Sequence, residues 1–239
     1  MADLSLRRNM LYAGLCSLLL PLPSLAAQAP ASVPPPSGKP TDTTAKTPSP
    51  AAANTPIWPA WESFRTQFMN EGGRILSGAE GTGQTYSEAQ AYALFFALVA
   101  NDRASFEKIL AWTENNLCAG DMTTRLPAWL WGKRPDGTWD VMDSNPASDA
   151  DLWIAYALGE AGRLWNERRY RALSTLLAAR ILREETADLP GLGRSLLPAP
   201  KGFTQGGQRW RLNPSYMPPQ VMEWLAHTQP QPEWRALAN

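Results

Sequence analysis

From Ile57 onward, apolar residues recur at three- and four-residue spacings. Phe106, Ile109, Leu110, Thr113 and Leu117 are an example. That is the period of a helix with one buried stripe. The pattern predicts helices near 58–71, 87–100, 103–117, 149–165, 167–187 and 215–227. No convincing run of strand alternation appears. The stretches 77–84, 132–147 and 189–214 are rich in Gly, Pro and Asn and read as loops.

The helices differ in character. Segments 87–100 (SEAQAYALFFALVA) and 149–165 (DADLWIAYALGEAGRLW) are apolar nearly all round, as inner helices are. Segments 103–117 and 167–187 carry Lys, Arg and Glu on one face and read as outer helices. Inner and outer helices therefore alternate along the chain. The expected fold is all-α, an α/α barrel or an array of helical pairs, each pair burying its stripe against the next.

The first 56 residues do not share this pattern. Residues 1–27 read as an export signal: Arg7 and Arg8, then the apolar run MLYAGLCSLLL, then small residues from Ser24 to Ala29. The run is short for a membrane span, so no integral span is expected after cleavage. A periplasmic or secreted location follows. Residues 28–56 contain eight prolines and no aromatic residue. Such a stretch buries too little apolar surface to offset its ordering entropy and reads as a disordered linker. The folded part is then 57–239.

Composition narrows the chemistry. With 22 basic and 22 acidic residues, the formal net charge is zero, and nothing points to nucleic acid. The chain has one histidine, His227, and two cysteines, of which Cys16 lies in the leader. Ser-His-Asp, Cys-His and multi-histidine zinc sites are poorly supported, and no metal or cofactor is expected. Acid–base work then falls to carboxylates. All eleven tryptophans lie after residue 57. They suit either a core with many aromatic anchors or a groove that stacks flat ligands.

Two acid motifs open the inner helices. In Thr85-Tyr86-Ser87-Glu88-Ala89-Gln90, Ser87 reads as an N-cap and Gln90 completes a capping box, which leaves Glu88 in the first turn. In Asn145-Pro146-Ala147-Ser148-Asp149-Ala150-Asp151, Ser148 reads as the cap and two acids follow. Acids at a helix start also serve the helix dipole alone. Inner helices of a ring run in one direction, so Glu88 and Asp149 are expected to converge at one end. Paired carboxyls at one cavity suit glycoside hydrolysis. One of them must stay protonated near neutral pH, through burial or a neighbouring carboxylate. Trp129 and Trp131 lie between the two acid motifs and Tyr216 opens the last inner helix, all expected around the same end; they are candidates for sugar stacking, although each is also a plausible core residue.

Together these motifs resemble glycoside hydrolase family 8, most closely the periplasmic endoglucanases that accompany bacterial cellulose synthesis. The resemblance rests on SEAQAYALFFALVANDR (87–103), WTENNL (112–117), RLPAWLWG (125–132), ASDADLWIAYALGEAGRLW (147–165) and LNPSYMPP (212–219), in one colinear order. It implies an (α/α)6 barrel that cleaves β-1,4-glucan with inversion. Glu88 matches the family's proton donor. Asp149 matches an aspartate long called the nucleophile, read here as a carboxylate that distorts the sugar and supports charge in the transition state. Trp129 and Tyr216 match positions lining the sugar cleft, and Asp151 and Trp131 are grouped with them. Implied partners are cellulose chains and the cellulose synthesis and export machinery.

The chain also departs from the family pattern. Ala89 stands where a glycine is usual, and Pro146 where a serine is usual. About half of the twelve barrel helices are expected here, and the family's general-base aspartate falls in the other half. A C-terminally truncated domain is therefore expected. It would leave an open apolar edge on helices such as 87–100, a setting for low stability or association, and the lack of a base makes a non-catalytic glucan-binding role the alternative.

Overall fold

A computed structural model describes residues 58–77, 83–206 and 209–238. The expected export signal and linker lie outside the described residues. Among the described residues the α-helices are α1 (Pro59–Phe68), α2 (Ser87–Val99), α3 (Arg103–Leu117), α4 (Ser148–Leu164), α5 (Arg168–Glu184), α6 (Pro219–Thr228) and α7 (Glu233–Ala238). The first six are the expected helices. Two ends shift for local reasons. α1 stops at Phe68 because Met69 turns extended and bridges to Ile75. α6 starts at Pro219 rather than near 215, because Pro218 is extended and Pro214–Tyr216 forms a separate 3-10 turn.

The expected stripe of α3 is buried as read: Phe106, Ile109, Leu110, Thr113 and Leu117. The inner helices are buried on most sides. In α2, Ala91, Ala93, Leu94 and Ala97 are inaccessible to solvent. In α4 the same holds for Leu152, Ile154, Ala155, Ala157, Leu158 and Ala161. α2 packs against α3 and α4, and α4 against α5 and α6.

Ring contacts give the direction. Tyr92 meets Trp153, and Phe95 meets both Trp153 and Tyr156. The contact advances along both helices together, so α2 and α4 are parallel. Each inner-to-outer turn uses the same device. Asn101 and Asn166 both adopt φ 53°, a left-handed turn that Asn tolerates. Asp102 and Glu167 then cap the outer helices, accepting from Ser105 N–H and Arg169 N–H.

The expected loops hold short strands, which corrects the reading of 132–147 and 189–214. β1 (Thr85–Tyr86), β2 (Leu130–Lys133) and β3 (Trp139–Asp143) form an antiparallel sheet in that order. β4 (Thr186–Leu189) pairs with β5 (Gly193–Leu196), and β6 (Thr204–Gln205) with β7 (Arg209–Trp210). Strands of two to five residues are too short to show a period. The sheet β1–β2–β3 sits at the entry to the inner helices, since β1 runs directly into α2 and β3 ends just before α4.

Candidate active site

Glu88 lies in the first turn of α2. One carboxylate oxygen accepts from the indole N–H of Trp129 at 3.0 Å, and the other from the Ser87 hydroxyl at 3.2 Å. The Ser87 N–H donates to the Trp129 carbonyl at 2.9 Å. Trp129 therefore grips this turn twice, through its backbone and through its ring. It is only 3% exposed, and its ring packs against Tyr86.

The expected capping box is absent. Tyr86 is the N-cap and supplies no side-chain bond, and Ser87 is the first helical residue. Gln90 turns inward. Its carbonyl accepts from Ile75 N–H at 2.6 Å, and its amide donates to Thr113 Oγ1 at 3.0 Å and more weakly to the carbonyls of Gly73 and Ile109. The fully buried amide has stronger claims on it than the helix end, because four polar groups of the interior depend on it.

Asp149 occupies the first turn of α4 and accepts from Ala150 N–H at 2.9 Å. Here too the expected serine cap is not formed. Ala147 is the N-cap, and the buried Ser148 donates its N–H to Pro198 O at 3.2 Å. Asp151 is fully buried, so the structure places it beneath the site rather than in its mouth. It faces Glu185, also fully buried, at the C-cap of α5. Burial is the main influence that raises the proton affinity of both carboxyls well above the ordinary range; next come the charge of Asp149 for Asp151 and the charge of Asp151 for Glu185.

Tyr92 lies within electrostatic reach of both acid turns. Burial pushes its phenol up, and the charges of Asp149 and Glu88 and the phenol of Tyr216 act in the same direction. Glu88, Tyr92, Asp149 and Tyr216 thus gather at one end of the parallel inner helices. Tyr216 sits in the 3-10 turn before α6, only 4% exposed. Trp131 is built differently. Its ring stacks on Trp139 with centroids 5.1 Å apart, meets Trp112 edge-on, and lies 4.2 Å from the Arg74 guanidinium. Arg74 also donates to Thr85 Oγ1 at 2.8 Å. This cluster joins the chain before β1 to the β2–β3 hairpin.

The sequence reading missed Tyr92 and Glu185. Tyr92 follows Glu88 by one helical turn, so spacing alone puts it on the same face. Glu185 continues the buried series Leu173, Leu177, Ile181 at the same four-residue step. An acid on a buried stripe was the available signal. Among the described residues no group of three or more His, Cys, Asp or Glu is arranged to hold a metal ion.

Comparison with known proteins agrees with this architecture. The family model for glycosyl hydrolases family 8 matches residues 45–239. An endoglucanase of Escherichia coli O157:H7 is 50% identical over 168 residues, covering 70% of this chain and 45% of that protein. An endoglucanase of Pseudomonas fluorescens (strain SBW25) is 46% identical over 189 residues, covering 79% and 48%. The solved endo-1,4-D-glucanase from Vibrio fischeri ES114 superposes with a TM-score of 0.73 at 49% identity, covering 76% of this chain and 52% of that one. The chain thus spans about half the length of the relatives it matches, and its helices form the corresponding part of an (α/α)6 barrel. With the family model covering most of the sequence and these relatives agreeing with it, the chain belongs to glycosyl hydrolases family 8.

Proposed function

We propose that this chain carries the proton-donor side of an endo-β-1,4-glucanase site that works with inversion. One observation carries the reading. Glu88 is held by Trp129 and Ser87 in the first turn of α2, at the same end as Asp149 in the first turn of the parallel α4. In this reading Glu88 protonates the departing glycosidic oxygen. Asp149 holds and distorts the sugar and supports the positive charge that develops on it. Trp129, Trp131 and Tyr216 border the sugar-binding cleft, with Trp129 also fixing the Glu88 carboxyl. Cellulose or a related glucan is the substrate. Periplasmic action beside the cellulose synthesis and export machinery is the proposed setting.

A second reading is glucan binding without hydrolysis. An inverting reaction needs a carboxylate to activate water. Asp151 and Glu185, the two further carboxyls beneath Asp149, are sealed from solvent and cannot meet that water.

The test is hydrolysis of soluble cellulose derivatives alongside calorimetric binding of cello-oligosaccharides, with wild type and Glu88→Gln. The first reading expects Glu88→Gln to lower kcat by about 10²–10⁴-fold with binding little changed. Equal hydrolysis by both proteins removes Glu88 as the acid. Binding without turnover by the wild type selects the second reading, and absence of both rejects the two together.

A further inference from the structure

We infer that Asp151 and Glu185 form a hydrogen-bonded acid pair, sharing one retained proton, that positions the first turn of α4 and with it the Asp149 carboxylate. Both are positioning residues, and the inference rests on Asp149 belonging to the proposed site.

Three observations lead to it. Both side chains are 0% exposed. None of their four oxygens is reached by an N–H or O–H donor of the described protein. The two carboxyls face one another in that interior, within reach of a mutual hydrogen bond. Two carboxyls can make that bond only if a proton remains between them.

Among the described residues no cation bonds to either carboxyl. Beyond burial and their mutual interaction, the leading charges acting on the pair are Asp149 on α4, Glu88 on α2 and Glu184 on α5, all acidic. The buried Cys118 thiol at the end of α3 also feels Asp151. Arg180 and Arg183 are engaged by Glu184, and Arg194, which reaches the residue after Glu185, is engaged by Thr186 Oγ1, Leu182 O and Asp188. Two facing carboxylates sealed in such a place would repel strongly and lose their hydration, so one proton stays at neutral pH.

The pair closes a loop around Asp149. Glu185 O accepts from Leu197 N–H at 2.7 Å, and the next residue, Pro198, accepts from Ser148 N–H at 3.2 Å. The backbone then passes through Asp149 to Asp151, whose side chain returns to Glu185. Loss of the shared proton replaces the side-chain link with repulsion, and the loop opens where Asp149 sits. The folded chain holds this proton more tightly than the unfolded chain. The contribution is therefore complete below the ordinary carboxyl range and is lost as pH rises through the pair's raised value.

The test is a carboxyl-carbon NMR titration of the full chain with labelled Asp and Glu, assigned with Asp151→Asn and Glu185→Gln. One pair resonance should keep its protonated position at neutral pH. Asp149 should show a second inflection when that proton leaves, and this inflection should vanish in Glu185→Gln. The thermal midpoint of Glu185→Gln should rise relative to wild type as pH increases from the ordinary carboxyl range through the pair's raised value. If both pair carboxyls ionise together in the ordinary carboxylate range, the inference is overturned, and the wild-type spectrum alone decides that even if the variant does not fold. An Asp149 titration identical in Glu185→Gln overturns it as well. Failure to bind glucan with the pair titration intact counts against the proposed function and leaves the pair standing.

Discussion

Gln90 joins three parts of the chain through one side chain. It holds the segment at Gly73 and Ile75, the start of α2 on which it stands, and Thr113 on α3. Its neighbour two positions back is Glu88, so the amide anchors the turn that presents the candidate acid. Gln90→Leu keeps the volume and removes the bonds. The Ile75 N–H then stays buried without an acceptor, and a loss of about 2–4 kcal/mol is expected. Chemical denaturation measures this, and a variant within about 0.5 kcal/mol of wild type contradicts the role. The residue was legible in sequence only as a polar group three positions after a serine, a spacing that a capping box shares. The difference lay in partners more than ten residues away, at Ile75 and Thr113, which no local pattern encodes. Glu88 and Asp149 were legible because their positions depend on helix starts alone.

At the scale of elements, α4 and α6 meet at a glycine. A Cβ on Gly159 would lie 2.1 Å from Trp224 Cη2 and 2.9 Å from Ser174 Oγ. Glycine is unfavourable inside a helix by about 1 kcal/mol relative to alanine, so its presence here reflects close approach. The Trp224 ring fills the space and donates to Glu160 at 2.7 Å, while Ser174 donates to Ala155 O at 2.7 Å. Gly159→Ala must push the indole away and strain both bonds. A net loss of about 1–3 kcal/mol is expected despite the better helix propensity. In a Trp224→Ala background most of that penalty should disappear. A double-mutant cycle by thermal denaturation checks the coupling, and additive effects would assign the cost elsewhere. The inner and outer helices themselves were legible from their apolar faces, since a stripe and an all-round pattern differ over many residues. The described strands were not, because each is short and is made by a turn or a pairing rather than by its own sequence.

For the molecule as a whole, protection should follow depth from the α2–α4 pair outward. The middle turns of these helices combine intrahelical bonds with side chains wholly removed from water, such as Leu94, Ala97, Ile154 and Leu158. The β4–β5 hairpin is different. Its two strands pair only with each other, and Leu192 at its tip is 70% exposed. Its base is tied down by Leu197 N–H to Glu185 O. Local opening requires fewer broken contacts wherever burial is low. Amide hydrogen exchange should therefore be slowest in 91–98 and 152–161, intermediate at Leu197 and fastest at Leu192. The middle position carries a further expectation. Once exchange rates are corrected for their intrinsic pH dependence, Leu197 should lose protection as pH rises, because the acid pair beneath it loses its proton, while 91–98 should not follow. In Glu185→Gln the protection of Leu197 should become independent of pH. Uniform protection from the helices to the hairpin tip would mean that the fold opens only as a single unit, and the gradient from depth would then be refuted.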